Sequence, residues 1–429
     1  MLKLLSLKRP VNMLVLANIL AFGLLYYYKK PYDEMVLLEG FIVTALICLS
    51  YFFIVKKDMG DEYLFLVVAM LASLGVLMIY RLDQDRGFKQ ILWLVIGIAL
   101  FFMSYYIYGK VKIRDKLMFY YYAASIMLFM ATLAIGSSIN GSRNWILIGG
   151  YSFQPSEIIK ILFVLTIACY FKNSEQLILN YKSVNLKWKL DNIKLKSKIV
   201  LFLMVYSYIG FLVLQKEWGT ALLLFLIFFM VLYVFDNDIR LLLLNGAAAA
   251  IGGVGGYFFV HHIKIRVQMW LDPWADAAGR GYQITQSMFA IGAGGFFGRG
   301  IGLGNPYLIP EVKTDFIFSA ICEELGTFGG IAVILLYFLL VYRGFKIALY
   351  IKDLFKKVVA LGITVMFGFQ TFIIIGGVIN LIPLTGITLP FISYGGSSLV
   401  SGFIALGILQ ALSKESYSGE EETADAEEQ

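Results

Sequence analysis

TALLLFLIFFMVLYVF runs from Thr220 to Phe235 without a charge, a proline or a glycine. At a helical rise of ~1.5 Å per residue it crosses most of a hydrocarbon core of ~30 Å, and no soluble fold needs such a run. Reading outward from it, comparable stretches recur at 12–28, 36–54, 63–80, 91–108, 118–135, 156–171, 199–214, 241–260, 316–342, 358–382 and 394–412. The chain of 429 residues, 59% hydrophobic and only 15% charged, therefore reads as an all-α polytopic membrane protein with about twelve spans. The first span is followed by others and lacks a small-residue cleavage site, so it reads as a retained helix rather than a removed signal.

Lysine and arginine placement orients the chain, because cationic loops resist translocation. The densest cluster, Lys182, Lys187, Lys189, Lys194, Lys196 and Lys198, falls in one inter-span loop, and RGFKIALYIKDLFKK from Arg343 adds a second. Both are expected on the cytoplasmic side, with both termini. The net charge of +7 is thus a topology signal plus attraction to anionic membrane lipid, and no basic soluble domain is present to bind nucleic acid. Cys48, Cys169 and Cys322 fall in spans with no paired spacing, which implies neither disulfides nor a metal site. His261 and His262 read as interfacial residues, and the acidic tail GEEETADAEEQ as a solvated, disordered end.

Polar chemistry gathers in four places. In NGSRNWILIGGYSFQPSEIIK (140–160), Pro155 suits the first turn of a helix, and Glu157 and Lys160 share one helical face at a span mouth. Such a pair is either a structural lock or a site, since ionisable groups are costly inside a membrane. In IPEVKTDFIFSAICEELG (309–326), Asp315 stands at a span start with Glu323 and Glu324 ~12–14 Å deeper, where neither carboxylate can face lipid. LTGITLPFISYGGSSL (384–399) brings Ser393 and Ser397 to a re-entry into the membrane, where small residues also serve packing. The largest polar segment, about 261–315, contains LDPWADAAGRGYQITQSMFAIGAGGFFGRG (271–300): Asp272 and Asp276, Arg280, then Tyr282, Gln283, Gln286 and Ser287 on what reads as an outward rim. Its glycines permit tight turns but match no phosphate-binding loop. A carboxylate beside hydroxyl-reading amides suits deprotonation of a sugar alcohol; a merely solvated loop fits the same residues.

Taken in order, these blocks together with QKEWGTALLL (215–224) resemble the SEDS glycosyltransferases, the RodA, FtsW and SpoVE group of bacterial cell-wall synthesis, over about residues 60–415. The resemblance implies a ten-helix core at 61–415 with an extracellular loop, two additional N-terminal spans within 1–60, and the tail 416–429 left over. It implies polymerisation of lipid II into peptidoglycan in the plasma membrane, for cell elongation or division, beside a class B penicillin-binding protein. It also places the family's essential aspartate at Asp276, which makes Asp276 the expected base. An inverting transfer to a β-1,4 link would release undecaprenyl pyrophosphate, stabilised by Arg143, Lys160, Arg280 or a divalent cation such as Mg or Mn. Glu157, Tyr282, Gln283, Gln286, Ser287, Asp315, Glu323, Glu324, Ser393 and Ser397 are then the expected substrate-binding residues. Relatives often read QPDLG where this chain has Gln215 to Gly219, and proline where it has Ala277. The rival functions are a lipid II flippase, which needs buried charges but no outer aspartate, and a non-catalytic scaffold for the transpeptidase.

Overall fold

The computed structural model describes residues 9–28, 32–111, 114–139, 142–182, 187–236 and 238–427. In chain order the helices are α1 (Arg9–Tyr28), α2 (Met35–Lys56), α3 (Glu62–Leu82), α4 (Gln84–Lys110), α5 (Met118–Ile135), α6 (Ser156–Lys182), α7 (Lys187–Leu214), α8 (Trp218–Phe235), α9 (Ile239–Phe259), α10 (His261–Leu271), α11 (Tyr282–Gly294), α12 (Ile317–Tyr350), α13 (Leu354–Val378) and α14 (Gly396–Glu427). Among the described residues, eleven helices are long and apolar enough to cross a membrane. The chain is a multi-pass membrane protein. The stretch expected to supply a further span, 156–171, opens α6, but Glu157, Lys160 and Lys172 make its N-terminal part less apolar than the other eleven.

Two compact units divide the chain: Met1–Leu100, Ala249–Val341 and Gln370–Phe403 form the first, and Phe101–Ala248, Tyr342–Phe369 and Ile404–Gln429 the second. In the first, α3 is the most enclosed helix; Asp61 caps its start by accepting from the Tyr63 N–H at 3.0 Å, and Leu64, Val68, Leu71 and Val76 are buried. The N-terminal hairpin α1–α2 is fastened to it by polar contacts that lipid would leave unsatisfied. Asn18 Nδ2 donates to Thr44 Oγ1 at 3.1 Å on α2 and to Ser73 Oγ at 3.2 Å on α3, and the Tyr80 hydroxyl donates to Asp33 at 2.5 Å. Gly40 lets the hairpin close, since a Cβ there would lie 2.7 Å from Phe22 Cγ.

The second unit holds a feature the all-helical reading did not foresee. A three-stranded antiparallel sheet, β1 (Ser137–Ile139), β2 (Ser142–Ile148) and β3 (Tyr151–Phe153), joins α5 to α6. Gly149 and Gly150, at φ +57° and +83°, supply the left-handed pair that a two-residue hairpin requires, pairing Ile148 with Tyr151 and Ile146 with Phe153. The Gly-Gly between short apolar runs was its sequence signal.

Three further expectations change. The segment 261–315, read as one large loop, carries elements of its own: α10, a 3-10 turn at Pro273–Asp276, α11 and a second 3-10 turn at Pro306–Leu308. The lysine-rich segment after Phe171 continues α6 and begins α7, with 183–186 outside the described residues. The backbone of α14 runs on to Glu427, so the tail expected to be disordered extends that helix over its described residues, in keeping with the helix-forming Glu and Ala there.

Candidate active site

Two aspartates four residues apart do different work. α10 ends at Asp272, which leaves helical geometry (φ −144°, ψ 86°) and turns its carboxylate onto the next element. Asp272 Oδ1 accepts from the N–H groups of Trp274 and Ala275 at 3.1 and 3.2 Å, capping the Pro273–Asp276 turn, where proline at the first position suits a missing N–H. Asp276 closes that turn. Its backbone carbonyl accepts from Gly279 and Gly281 at 3.1 and 3.0 Å, and its side chain takes one bond, from the Arg280 N–H at 3.1 Å. Glycine is required at 281, where a Cβ would lie 2.2 Å from the Pro273 carbonyl, while a Cβ at 279 would lie 2.4 Å from Asp276 Oδ1 and displace that side chain. Trp274 packs edge-on against Phe289 with ring centres 5.6 Å apart, holding the turn to α11. Asp276 is exposed, and so is Arg280.

On α11, Tyr282, Gln283 and Gln286 are half-buried. Ser287 corrects the reading of an outward rim: it is fully buried, its hydroxyl 2.7 Å from that of Ser319 and donating to the Val378 carbonyl at 2.9 Å. Ser287 follows Ile284 by three positions and shares its inward face.

Glu323 and Glu324 are buried, as their depth implied; three of their four carboxylate oxygens engage the chain itself, and Glu323 Oε2 is buried with no hydrogen-bond partner among the described residues. After α11 the backbone passes through left-handed glycines at 295, 298, 300 and 302. Glu324 Oε2 accepts from the Gly302 N–H at 3.0 Å and Oε1 lies 3.0 Å from Arg81 Nε; Arg81 Nη2 in turn donates to the carbonyls of Gly302 and Gly304 at 3.2 and 3.0 Å. Glu323 Oε1 accepts from the Asn305 N–H at 2.8 Å and lies 3.6 Å from Arg299. α12 breaks at Gly326 (φ +74°) to let Phe296 O approach, where a Cβ would lie at 2.2 Å. The acidic pair is an anchor for residues 295–305.

Asp315 is half-buried, and its carboxyl is pushed up to about 6, first by burial and then by Glu311, against the opposing influence of Arg266 and Thr314. Ser393 is buried and bridges two loops: its hydroxyl donates to the Thr314 carbonyl at 2.5 Å and accepts from the Leu389 N–H at 2.9 Å. Ser397 is also buried, beside the start of α14.

The second unit carries its own polar cluster. Lys160 Nζ and Glu157 Oε2 stand 2.8 Å apart with both side chains buried, so the spacing on α6 produced a closed ion pair. Beside them Glu217, at the start of α8, accepts from Gln154 Nε2 at 3.2 Å, and burial raises its carboxyl pKa. Arg143 lies on β2, exposed; its Nε and Nη2 donate to the carbonyls of Gly136 and Ala134 at 3.0 and 3.3 Å, which satisfies the end of α5. Its backbone N–H bonds to Gln215 O at 3.2 Å, linking the sheet to the segment before α8. Sequence reading missed Glu217 as a member of this cluster, although the carboxylate kept at that place was the signal. Among the described residues no group of three carboxylate, thiol or imidazole side chains is gathered as for an all-protein metal site.

The fold and these motifs have relatives. The FtsW/RodA/SpoVE profile, described as cell cycle protein, matches residues 61–418. The chain belongs to this family. The peptidoglycan glycosyltransferase RodA of Mycobacterium tuberculosis is 35% identical, over 82% of this chain and 78% of the relative. The stage V sporulation protein E of Bacillus subtilis is 33% identical over 84% and 98%, and a probable peptidoglycan glycosyltransferase FtsW of Trichlorobacter lovleyi 33% over 82% and 93%. Among solved structures, a chain from a peptidoglycan synthase complex that coordinates polymerization and crosslinking superposes with a TM-score of 0.67 at 27% identity, over 83% of this chain and 98% of that one. The rod shape determining protein RodA of Thermus thermophilus gives 0.60 at 27%, with the same coverage. The family match begins at α3, so α1 and α2 stand outside it.

Proposed function

We propose that this chain is a peptidoglycan glycan-strand polymerase that uses lipid II, with Asp276 as the base. Asp276 takes the proton of the acceptor sugar's hydroxyl as that oxygen attacks the anomeric carbon of the donor. The new glycosidic C–O bond forms as the donor's bond to its pyrophosphate oxygen breaks; the lipid pyrophosphate departs as an anion, and the proton passes from Asp276 to solvent. Arg280, four residues on, offers a positive charge to that leaving group. The observation that carries the reading is the division of labour between the two aspartates, both exposed: Asp272 Oδ1 caps a turn through two N–H groups, whereas Asp276 caps no turn and stands at the end of one closed by Gly279 and Gly281.

The test is polymerisation of fluorescent lipid II by purified chain, with and without a class B penicillin-binding protein, the partner class that the crosslinking complex of its structural relative supports. Glycan ladders are expected, stronger with the partner. Transfer of lipid II across vesicle bilayers without ladders would hand the chain to the flippase reading.

The reading needs the Asp276 turn on the outer face, with both termini and residues 343–357 in the cytoplasm. In a background lacking the three cysteines, Phe297→Cys is expected to react with an impermeant thiol reagent in cells whose outer barriers are breached, and Lys352→Cys to stay protected; both positions are exposed on the protein. The opposite pattern inverts the topology.

A further inference from the structure

Arg266 was not singled out in the sequence, and the structure places it where a ligand can reach it. It stands on α10, the helix that delivers Asp272 and Asp276. Its Nη1 donates to the Thr385 carbonyl at 2.8 Å, and the guanidinium has no other hydrogen-bond partner among the described residues. The side chain is exposed, yet surrounding protein desolvates it enough to lower its pKa against the pull of Asp315. Gly386, at φ +76°, stands between two charges: a Cβ there would lie 3.5 Å from Arg266 Nη2 and 3.5 Å from Asp315 Oδ2. This arrangement is held in place, because α10 is tied to the segment after α13 twice, by Arg266 to Thr385 and by Asn380 Nδ2 to the Trp270 carbonyl at 3.2 Å.

We infer that Arg266 binds a lipid-borne phosphate group beside the Gly386 turn, with Asp315 as the counter-charge that the incoming anion must displace. A guanidinium with donors to spare, held by one carbonyl and partly stripped of water, is suited to forked recognition of an oxyanion. Asp315 offsets the Arg266 charge and opposes an anion while it is ionised. Resting on the polymerase reading, the inference assigns this site to the pyrophosphate of the prenyl-linked substrate. The headgroup of an anionic phospholipid carries the same chemistry.

Geranylgeranyl pyrophosphate, with geranylgeraniol as the uncharged control, would be titrated into the full chain in nanodiscs of neutral lipid. Arg266→Gln is expected to weaken the pyrophosphate at least about tenfold, and Arg266→Lys less, the scale of one charged hydrogen-bonding group. Asp315→Asn should tighten it several-fold at pH 7.5. That gain should vanish below about pH 6: the folded carboxyl is raised to about 6, so on the acid side the parent is itself protonated there. The groups facing Asp315 are Glu311, Thr314 and Arg266, and comparison with Asp315→Asn removes the ligand's own titration. Equal affinities in parent and Arg266→Gln, or an Asp315→Asn that binds no tighter, would overturn the inference. In a second arm with phosphatidylglycerol nanodiscs, Arg266-dependent phospholipid retention without any effect on the prenyl pyrophosphate would overturn the substrate assignment. Binding needs no turnover: Arg266-dependent binding by a chain that makes no glycan sinks the polymerase reading alone, and polymerisation with unaltered binding in Arg266→Gln sinks this one alone.

Discussion

Asp276→Asn is expected to lower glycan polymerisation by about 100-fold or more, the usual scale of a general base, while the protein still inserts and folds. The substitution keeps shape and leaves an oxygen to accept the one hydrogen bond the side chain makes, that from the Arg280 N–H. What it removes is basicity. An exposed side chain of this kind contributes little to stability, so the melting temperature should stay near that of the parent. Asp272→Asn is the internal control. Asparagine caps as well as aspartate, so the bonds to Trp274 and Ala275 survive and activity should fall only slightly. Gly279→Ala should resemble Asp276→Asn in direction, because its Cβ would meet Asp276 Oδ1 at 2.4 Å and push the carboxylate aside. Lipid II polymerisation by chromatographically monodisperse variants decides the matter. An Asp276→Asn protein that polymerises near the parent rate ends the base assignment, and equal losses at 272 and 276 would mean that the turn, not the carboxylate, matters.

Spans were legible because bilayer thickness imposes a length and an apolarity that no other constraint imitates, and α8 shows this in the unbroken run from Thr220 to Phe235. What lay between spans was harder to read. Spacing alone made Asp272 and Asp276 equivalent, and only the family resemblance separated them. Yet aspartate followed by proline is a capping signature, and it could have marked Asp272 as spoken for. Glu157 and Lys160 were legible as a pair because helical periodicity fixes neighbours three apart. Glu323 and Glu324 were legible as buried and illegible as anchors, because Arg81, Gly302 and Asn305 reach them only through tertiary folding. Ser287 was placed on the wrong face because a polar letter in a polar segment suggests solvent, while its α11 register puts it with Ile284. Arg266 passed unnoticed among other cations near a membrane surface; only its place beside Asp315 and Gly386 distinguishes it.

Replacing Arg81, on α3, should produce the largest loss of stability among single changes to the contacts that hold residues 295–305. Glu324 is fully buried and Arg81 nearly so, at side-chain exposures of 0% and 15%, and Nε stands 3.0 Å from Oε1. Arg81→Met keeps most of the apolar stem and removes the charge, leaving a buried carboxylate with its cation gone. Breaking such a pair costs about 3–5 kcal/mol, whereas an exposed pair would cost under ~1 kcal/mol. The same change strips the carbonyls of Gly302 and Gly304 of a donor, so residues 295–305 should loosen along with the global loss. Glu324→Gln is milder, since its amide oxygen can still accept from Gly302 N–H. The double variant, Arg81→Met with Glu324→Gln, should recover part of the loss, because neither charge is then stranded. Thermal unfolding of the four proteins in one detergent measures the cycle, and hydrogen exchange at Gly300 to Asn305 reports the loop. Strictly additive effects would show that the pair is not coupled, and a loop protected as in the parent in Arg81→Met would show that Glu323 and the glycine turns hold it without Arg81.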